Sequence, residues 1–127
     1  MNKIIVLDDD HTNVSLIKMI LELDGFSVTA CTEIEQAETA AANGVDALLI
    51  DCNLARGISG LDLVRDIRAG RSNAPKDVVI IVTSGDHRLS EASYAAGADH
   101  FLLKPYPPNE LSEKLTKLIA KRKTHGE

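Results

Sequence analysis

The residues best suited to chemistry in this chain are acids, and three stand in a row. Asp8, Asp9 and Asp10 close the apolar run of "IIVLDDDHTN" (residues 4–13), and Asp51 closes another in "DALLID" (46–51). A hydroxyl pair, Thr83-Ser84, ends the run "DVVIIVTS" (77–84), and Lys104 ends "HFLLK" (100–104). If these groups share one site, its electrostatics are awkward: two carboxylates about 5 Å apart at an effective dielectric near 20 repel by about 3 kcal/mol. Either their pKa values rise or cations share the site. Lys104 offers one positive charge, which is too little. A hard divalent cation held by one or two carboxylates, a backbone carbonyl and water matches the usual binding of Mg²⁺, whereas zinc would need Cys or His at ligand spacing, and none stands beside these acids. Carboxylate, Mg²⁺, lysine and hydroxyl together form a phosphoryl-handling set, in which a carboxylate can act as nucleophile. No GxxxxGK[ST] or GxGxxG loop is present to cradle a nucleotide, so the phosphoryl group must arrive on another carrier.

Whether the groups meet depends on the elements that carry them. The four apolar runs do not alternate polar with apolar, which predicts strands buried on both faces, as in a parallel sheet. "FSVTAC" (26–31) alternates with period two and is the expected edge strand. Between the strands, Val14, Ile17 and Leu21 mark one apolar helix face, and Leu111, Leu115, Leu118 and Ile119 mark another. Thr32 and Glu35 have capping-box spacing, Ser59 precedes a helix, Gly25, Gly44 and Gly97 suit helix exits, and Pro107-Pro108 suits an entrance. Asp10 is expected to differ from Asp8 and Asp9 by capping the first helix. The alternation reads as (βα)₅, a central parallel sheet covered by helices on both sides. Ligands of such sheets bind beyond the carboxyl ends of the strands, where Asp8, Asp9, Asp51, Thr83 and Lys104 all fall.

Composition narrows the function classes. The 127 residues suffice for one domain, with 44% hydrophobic and 26% charged residues. Apolar runs of about five residues are far short of a bilayer span, and the N-terminus has no pattern of a secretory leader. A net charge of −5 argues against nonspecific binding to nucleic acid or anionic membrane. Lys121-Arg122-Lys123 closes a predicted helix, where cations complement the dipole. Cys31 and Cys52 lack metal-type spacing and read as buried thiols of a cytoplasmic protein.

The pieces "VLDDD", "LLIDCNLARGISGLDL", "IIVTSGD" and "GADHFLLKPY", in this order, resemble the receiver domain of two-component response regulators over nearly the whole chain. The resemblance implies a flavodoxin-like three-layer sandwich with strand order 2-1-3-4-5, which sets strands 1 and 3 side by side. It further implies that Asp51 is the phosphoacceptor, supplied by a histidine kinase or a histidine phosphotransfer protein. Asp9 is similar to a direct Mg²⁺ ligand, Asp8 to an acid acting mostly through water, and Asn53 to the residue that lends a backbone carbonyl. Thr83 resembles the switch hydroxyl, Lys104 the ammonium that pairs with the phosphoryl group, and Phe101 the aromatic that changes rotamer. A dianion at Asp51 would then bias the 84–106 face toward a downstream protein. Two departures stand out. Ala55-Arg56 replaces the usual proline, lengthening the loop before Gly60 by one residue, and Glu113-Lys114 replaces the Ala-Arg favoured at the paired-dimer face, which points to a monomer or weak dimer.

His11, His87, His100 and His125 are scattered and are expected to carry no ligand. Asp86 and Arg56 are expected to be solvated, and Cys52 to point away from Asp51 into packing. The leading expectation is a receiver over residues 1–127 with no output domain, free-standing or cut from a hybrid histidine kinase, that catalyses only its own phosphorylation and dephosphorylation. Two alternatives share the acids: a small Mg²⁺-dependent phosphatase with an aspartyl nucleophile, which lacks a segment for a substrate cap, and a phosphorylation-independent scaffold. A flavin carrier on the same architecture is disfavoured by the two Phe, two Tyr and absent Trp.

Overall fold

The four apolar runs and the alternating segment 26–31 become five parallel strands in order β2-β1-β3-β4-β5 in the computed structural model, which describes residues 2–125. The elements run β1 (Lys3–Leu7), α1 (His11–Leu23), β2 (Ser27–Cys31), α2 (Ile34–Ala41), β3 (Ala47–Asp51), α3 (Gly60–Arg68), β4 (Val79–Ser84), α4 (Ser90–Ala96), β5 (His100–Leu103) and α5 (Pro108–His125), with short 3-10 turns at Ala55–Gly57 and His87–Leu89. β3 and β4 are buried at every position because both faces are covered, as their unbroken apolar sequences require. One face presents Ile5, Leu7, Leu48, Ile50, Ile80 and Val82 to the apolar sides of α2, α3 and α4. The other presents Ile4, Val6, Leu49 and Ile81 to Val14, Ile17 and Leu21 of α1 and to Leu111, Leu115 and Ile119 of α5. The result is the expected flavodoxin-like three-layer sandwich.

The differences from the sequence reading are local and have physical reasons. β5 is the opposite edge of the sheet, so its apolar run is covered only in part: Leu102 is buried and Leu103 is 45% exposed. At α2 the cap is Glu33 with Gln36, not Thr32 with Glu35. The Gln36 amide oxygen reaches back to accept from both Thr32 N and Glu33 N, at 2.8 and 3.2 Å. This satisfies two N–H groups at the helix entrance that the Thr32 hydroxyl does not. Ser59 and Asp10 do cap α3 and α1, their side chains accepting from Leu61 N (3.2 Å) and Asn13 N (3.1 Å). In the basic cluster at the end of α5, Arg122 pairs with Asp77 and Lys123 with Asn2. The side chain of His125 lies outside the described residues.

Candidate functional site

Strand order decides which acids meet. β1 lies beside β3 with Leu7 opposite Ile50, so the next residue of each strand, Asp8 and Asp51, emerge as neighbours at the carboxyl edge. On the other side of β3, Asp51 is in register with Thr83 of β4. Lys104 follows β5, anchored by its own N–H to Ser84 O at 2.8 Å. Its ammonium crosses back over the strand ends and donates to Asp51 Oδ2 at 2.8 Å and Asp8 Oδ2 at 3.1 Å. Residues separated by 96 and 53 positions in the chain thus form one polar cluster.

Asp8 and Asp51 are buried, Asp9 is exposed, and oxygens of all three lie within 4.8 Å of one another. Burial pushes the Asp8 carboxyl up, but the Asp10 N–H, the Asn13 amide and Lys104 outweigh it and hold this acid below the ordinary carboxylate value. Asp51 goes the other way. Its burial, helped by the charge on Asp8, exceeds what Lys104 and the Asn53 N–H give back, and its carboxyl lies above the ordinary value. Burial alone would lower the Lys104 ammonium, but Asp51 and Asp8 raise it, so the lysine stays charged. Three carboxylates against one ammonium leave a deficit of two positive charges, and hard oxygen donors at this spacing suit a divalent cation such as Mg²⁺.

Asn53 donates its N–H to Asp51 Oδ1 at 2.9 Å, and its carbonyl accepts no hydrogen bond among the described residues. The loop that carries it is closed on itself by Leu54 N to Ile58 O and Gly60 N to Cys52 O. The loop turns through two consecutive left-handed positions, Arg56 (φ 61°) and Gly57 (φ 72°). Arg56 is exposed as expected and reaches Glu33 at 3.4 Å. Thr83 is buried beside Asp51, Phe101 is half-buried at the register position of Val82, and Cys52 packs on the opposite side with Leu48 and Ile50. Asp86 is tied to Arg88, which holds its carboxyl down at about 2.

Two supporting residues had not been singled out. Asn13 donates to Asp8 Oδ2 at 2.5 Å, and the Asp10 N–H meets Asp8 Oδ1 at 3.0 Å, so the first turn of α1 grips this acid from both sides. The signal was its place three residues after the capping Asp10. Gly60 is the second: a Cβ there would lie 2.0 Å from the Asp51 carbonyl oxygen, so only glycine lets α3 start against the end of β3. Its spacing from Asp51 was visible, but not the close approach.

The model of the response regulator receiver domain matches residues 4–116. The chain belongs to this family. Among curated relatives, the transcriptional regulatory protein CpxR of Escherichia coli (strain K12) is 30% identical over 125 residues, covering 98% of this chain and 51% of that protein. The transcriptional regulatory protein PrrA of Mycobacterium tuberculosis is 32% identical over 121 residues, covering 94% of this chain and 51% of its own length. The chain thus spans about half the length of the curated relatives it matches. Among solved structures, the receiver domain of the sensor histidine kinase PA1611 from Pseudomonas aeruginosa PAO1 superposes with a TM-score of 0.79 at 29% identity, over 94% of this chain and 98% of that one. That protein has a magnesium ion coordinated in its active site cleft. A CheY-like receiver domain protein from Methanospirillum hungatei JF-1 gives a TM-score of 0.86 at 24% identity, over 98% of both chains, a likeness of fold. This receiver is therefore a domain of two-component signalling. None of its described helices is long and apolar enough to cross a membrane.

Proposed function

We propose that this receiver accepts a phosphoryl group on Asp51 from the phosphohistidine of a histidine kinase or histidine phosphotransfer protein in the cytoplasm. The observation that carries the reading is the bridge made by Lys104 Nζ to Asp51 and Asp8 within the three-acid cluster. In the transfer, an Asp51 carboxylate oxygen attacks phosphorus, the P–N bond of the donor breaks as the P–O bond forms, and the imidazole leaves with the bonding pair. Asp8, Asp9, Asp51 and the Asn53 carbonyl would hold Mg²⁺, which when bound supplies positive charge to the phosphoryl oxygens. Lys104 is already charged and needs only to exchange one carboxylate oxygen for a phosphoryl oxygen. Thr83, one strand over, offers a hydroxyl to the new dianion, and Phe101 follows it on β5. The shift biases the 84–106 face toward a downstream protein, and the domain's own chemistry is confined to its phosphorylation and dephosphorylation.

The test is intact-mass analysis after incubation with Mg²⁺ and acetyl phosphate. The expected result is one added phosphoryl group on the wild type and none on Asp51→Asn. A wild-type protein that stays unmodified with acetyl phosphate and with a phosphohistidine donor would leave a phosphorylation-independent scaffold. Steady turnover of unrelated phosphate esters would point to a phosphatase instead.

A further inference from the structure

The 84–106 face that is proposed to switch contains both α4 and β5, and one side chain outside the acid site ties those two elements together. Tyr94 lies on the outer side of α4, 47% exposed, and lays its hydroxyl on the edge strand. The hydroxyl accepts the Phe101 N–H at 3.2 Å and sits 3.4 Å from His100 Nδ1. β5 ends the sheet with no strand beyond it, so an N–H at this edge would otherwise turn to water. The preceding residue faces inward: Ser93 is fully buried, donates to Leu89 O at 2.7 Å, and lies 3.8 Å from the Sγ of Cys52, the residue after Asp51. α4 is therefore held on one side to the end of the acceptor strand and on the other to the backbone of Phe101.

We propose that Tyr94 is a positioning residue whose hydroxyl latches α4 to β5 in the unphosphorylated arrangement and so sets the threshold at which the 84–106 face switches. The threshold role rests on the phosphoacceptor reading above, while the latch itself rests on contacts already present. One hydroxyl can accept from Phe101 N–H and donate to a neutral His100 Nδ1 at once, so both contacts exist only at the present spacing of α4 and β5. Displacing α4 breaks them together. A protonated imidazole would aim a second N–H at an oxygen that is already accepting, so the latch favours neutral His100. The other charged groups acting on that ring are Lys114 and Glu110 of α5.

The test compares wild type with Tyr94→Phe, which keeps the ring and removes the hydroxyl. Without ligand, the Phe101 amide is expected to exchange with D₂O several-fold faster, and the NMR titration of His100 to move up. With Mg²⁺ present, beryllofluoride is the probe, followed through the amide shifts of the 84–106 face. Half-saturation is expected at about threefold lower concentration, the scale of one partly exposed hydrogen bond. His100→Gln should move it in the same direction by less. Unchanged exchange and titration in Tyr94→Phe would overturn the latch, and changed exchange with an unchanged beryllofluoride midpoint would overturn the threshold role. Wild-type protein that takes no beryllofluoride would overturn the phosphoacceptor reading and the threshold role with it. A wild type that responds beside a Tyr94→Phe that behaves identically overturns the latch and its threshold role and leaves the phosphoacceptor reading standing.

Discussion

The two ends of the sheet handle charge in opposite ways. At the amino end each acid has its own partner. Asp46 accepts from Lys3 N at 2.7 Å, Asp77 pairs with Arg122 at 3.2 Å, and Asp99 accepts from Ile80 N and Arg68 at 2.8 and 3.0 Å. Arg68 also donates to the carbonyls of Gly97, Lys76 and Val78, so its guanidinium fastens two chain segments, 76–78 and 97–99, to α3. At the carboxyl end the buried Asp8 and Asp51 share the ammonium of Lys104, with the exposed Asp9 beside them. The amino end is arranged to be satisfied as it stands. The carboxyl end, with three acids and one ammonium, has positive charge still to gain, and this separates charges paired within the fold from charges left for a ligand under the proposed function.

The largest effect that could break this comparison lies within the aspartate triplet. Asp9→Ala is expected to abolish Mg²⁺-dependent phosphorylation by acetyl phosphate, whereas Asp10→Ala should leave it nearly intact and cost about 1 kcal/mol of stability as a lost helix cap. Intact mass and urea denaturation measure the two quantities, and equal losses of phosphorylation would show the triplet to be wrongly divided. Next comes the close approach behind Asp51. Gly60→Ala forces a Cβ against the Asp51 carbonyl and should lower stability by about 2 kcal/mol or more. A wild-type denaturation midpoint for this variant would mean that the contact relaxes freely.

One chemical change made at both ends sharpens the contrast. Asp99→Asn removes a charge from a satisfied network and should destabilise by about 1–3 kcal/mol. Asp51→Asn removes a charge that the folded protein disfavours, so without Mg²⁺ it should raise the melting temperature. Calorimetry on both variants decides, and the same sign at both ends would erase the distinction. The smallest effect belongs to His100, whose burial, with Lys114 nearby, holds the imidazole below its ordinary value. The unfolded chain therefore takes up this proton first as the pH falls below about 6.5, so stability is full above that value and declines toward the folded-state pKa. His100→Gln should flatten this slope in urea midpoints between pH 7.5 and 5, and an unchanged slope would assign it to other groups.

The strands and their order of appearance were legible because burial on both faces leaves unbroken apolar runs, and the candidate acids were legible because each such run stops at a polar residue. The Glu33–Gln36 cap was misplaced by one residue, since spacing alone cannot tell which of two adjacent side chains faces the free N–H groups. The partial exposure of β5 was hidden because a short apolar run such as Phe101-Leu102-Leu103 can belong to an edge strand or to a central one.

By itself, then, the sequence determined the alternation of strands and helices and the polar residues at or just beyond the strands' carboxyl ends, because both are written in local periodicity and in where it ends. Only the tertiary structure decided that Lys104 reaches both Asp8 and Asp51, that Asn13 grips Asp8, that Gly60 must lack a side chain, and that Tyr94 lies across β5. Each of these depends on distances between residues far apart in the chain or on the direction of one side chain, and such distances are set by packing helices on a twisted sheet rather than by any run of letters.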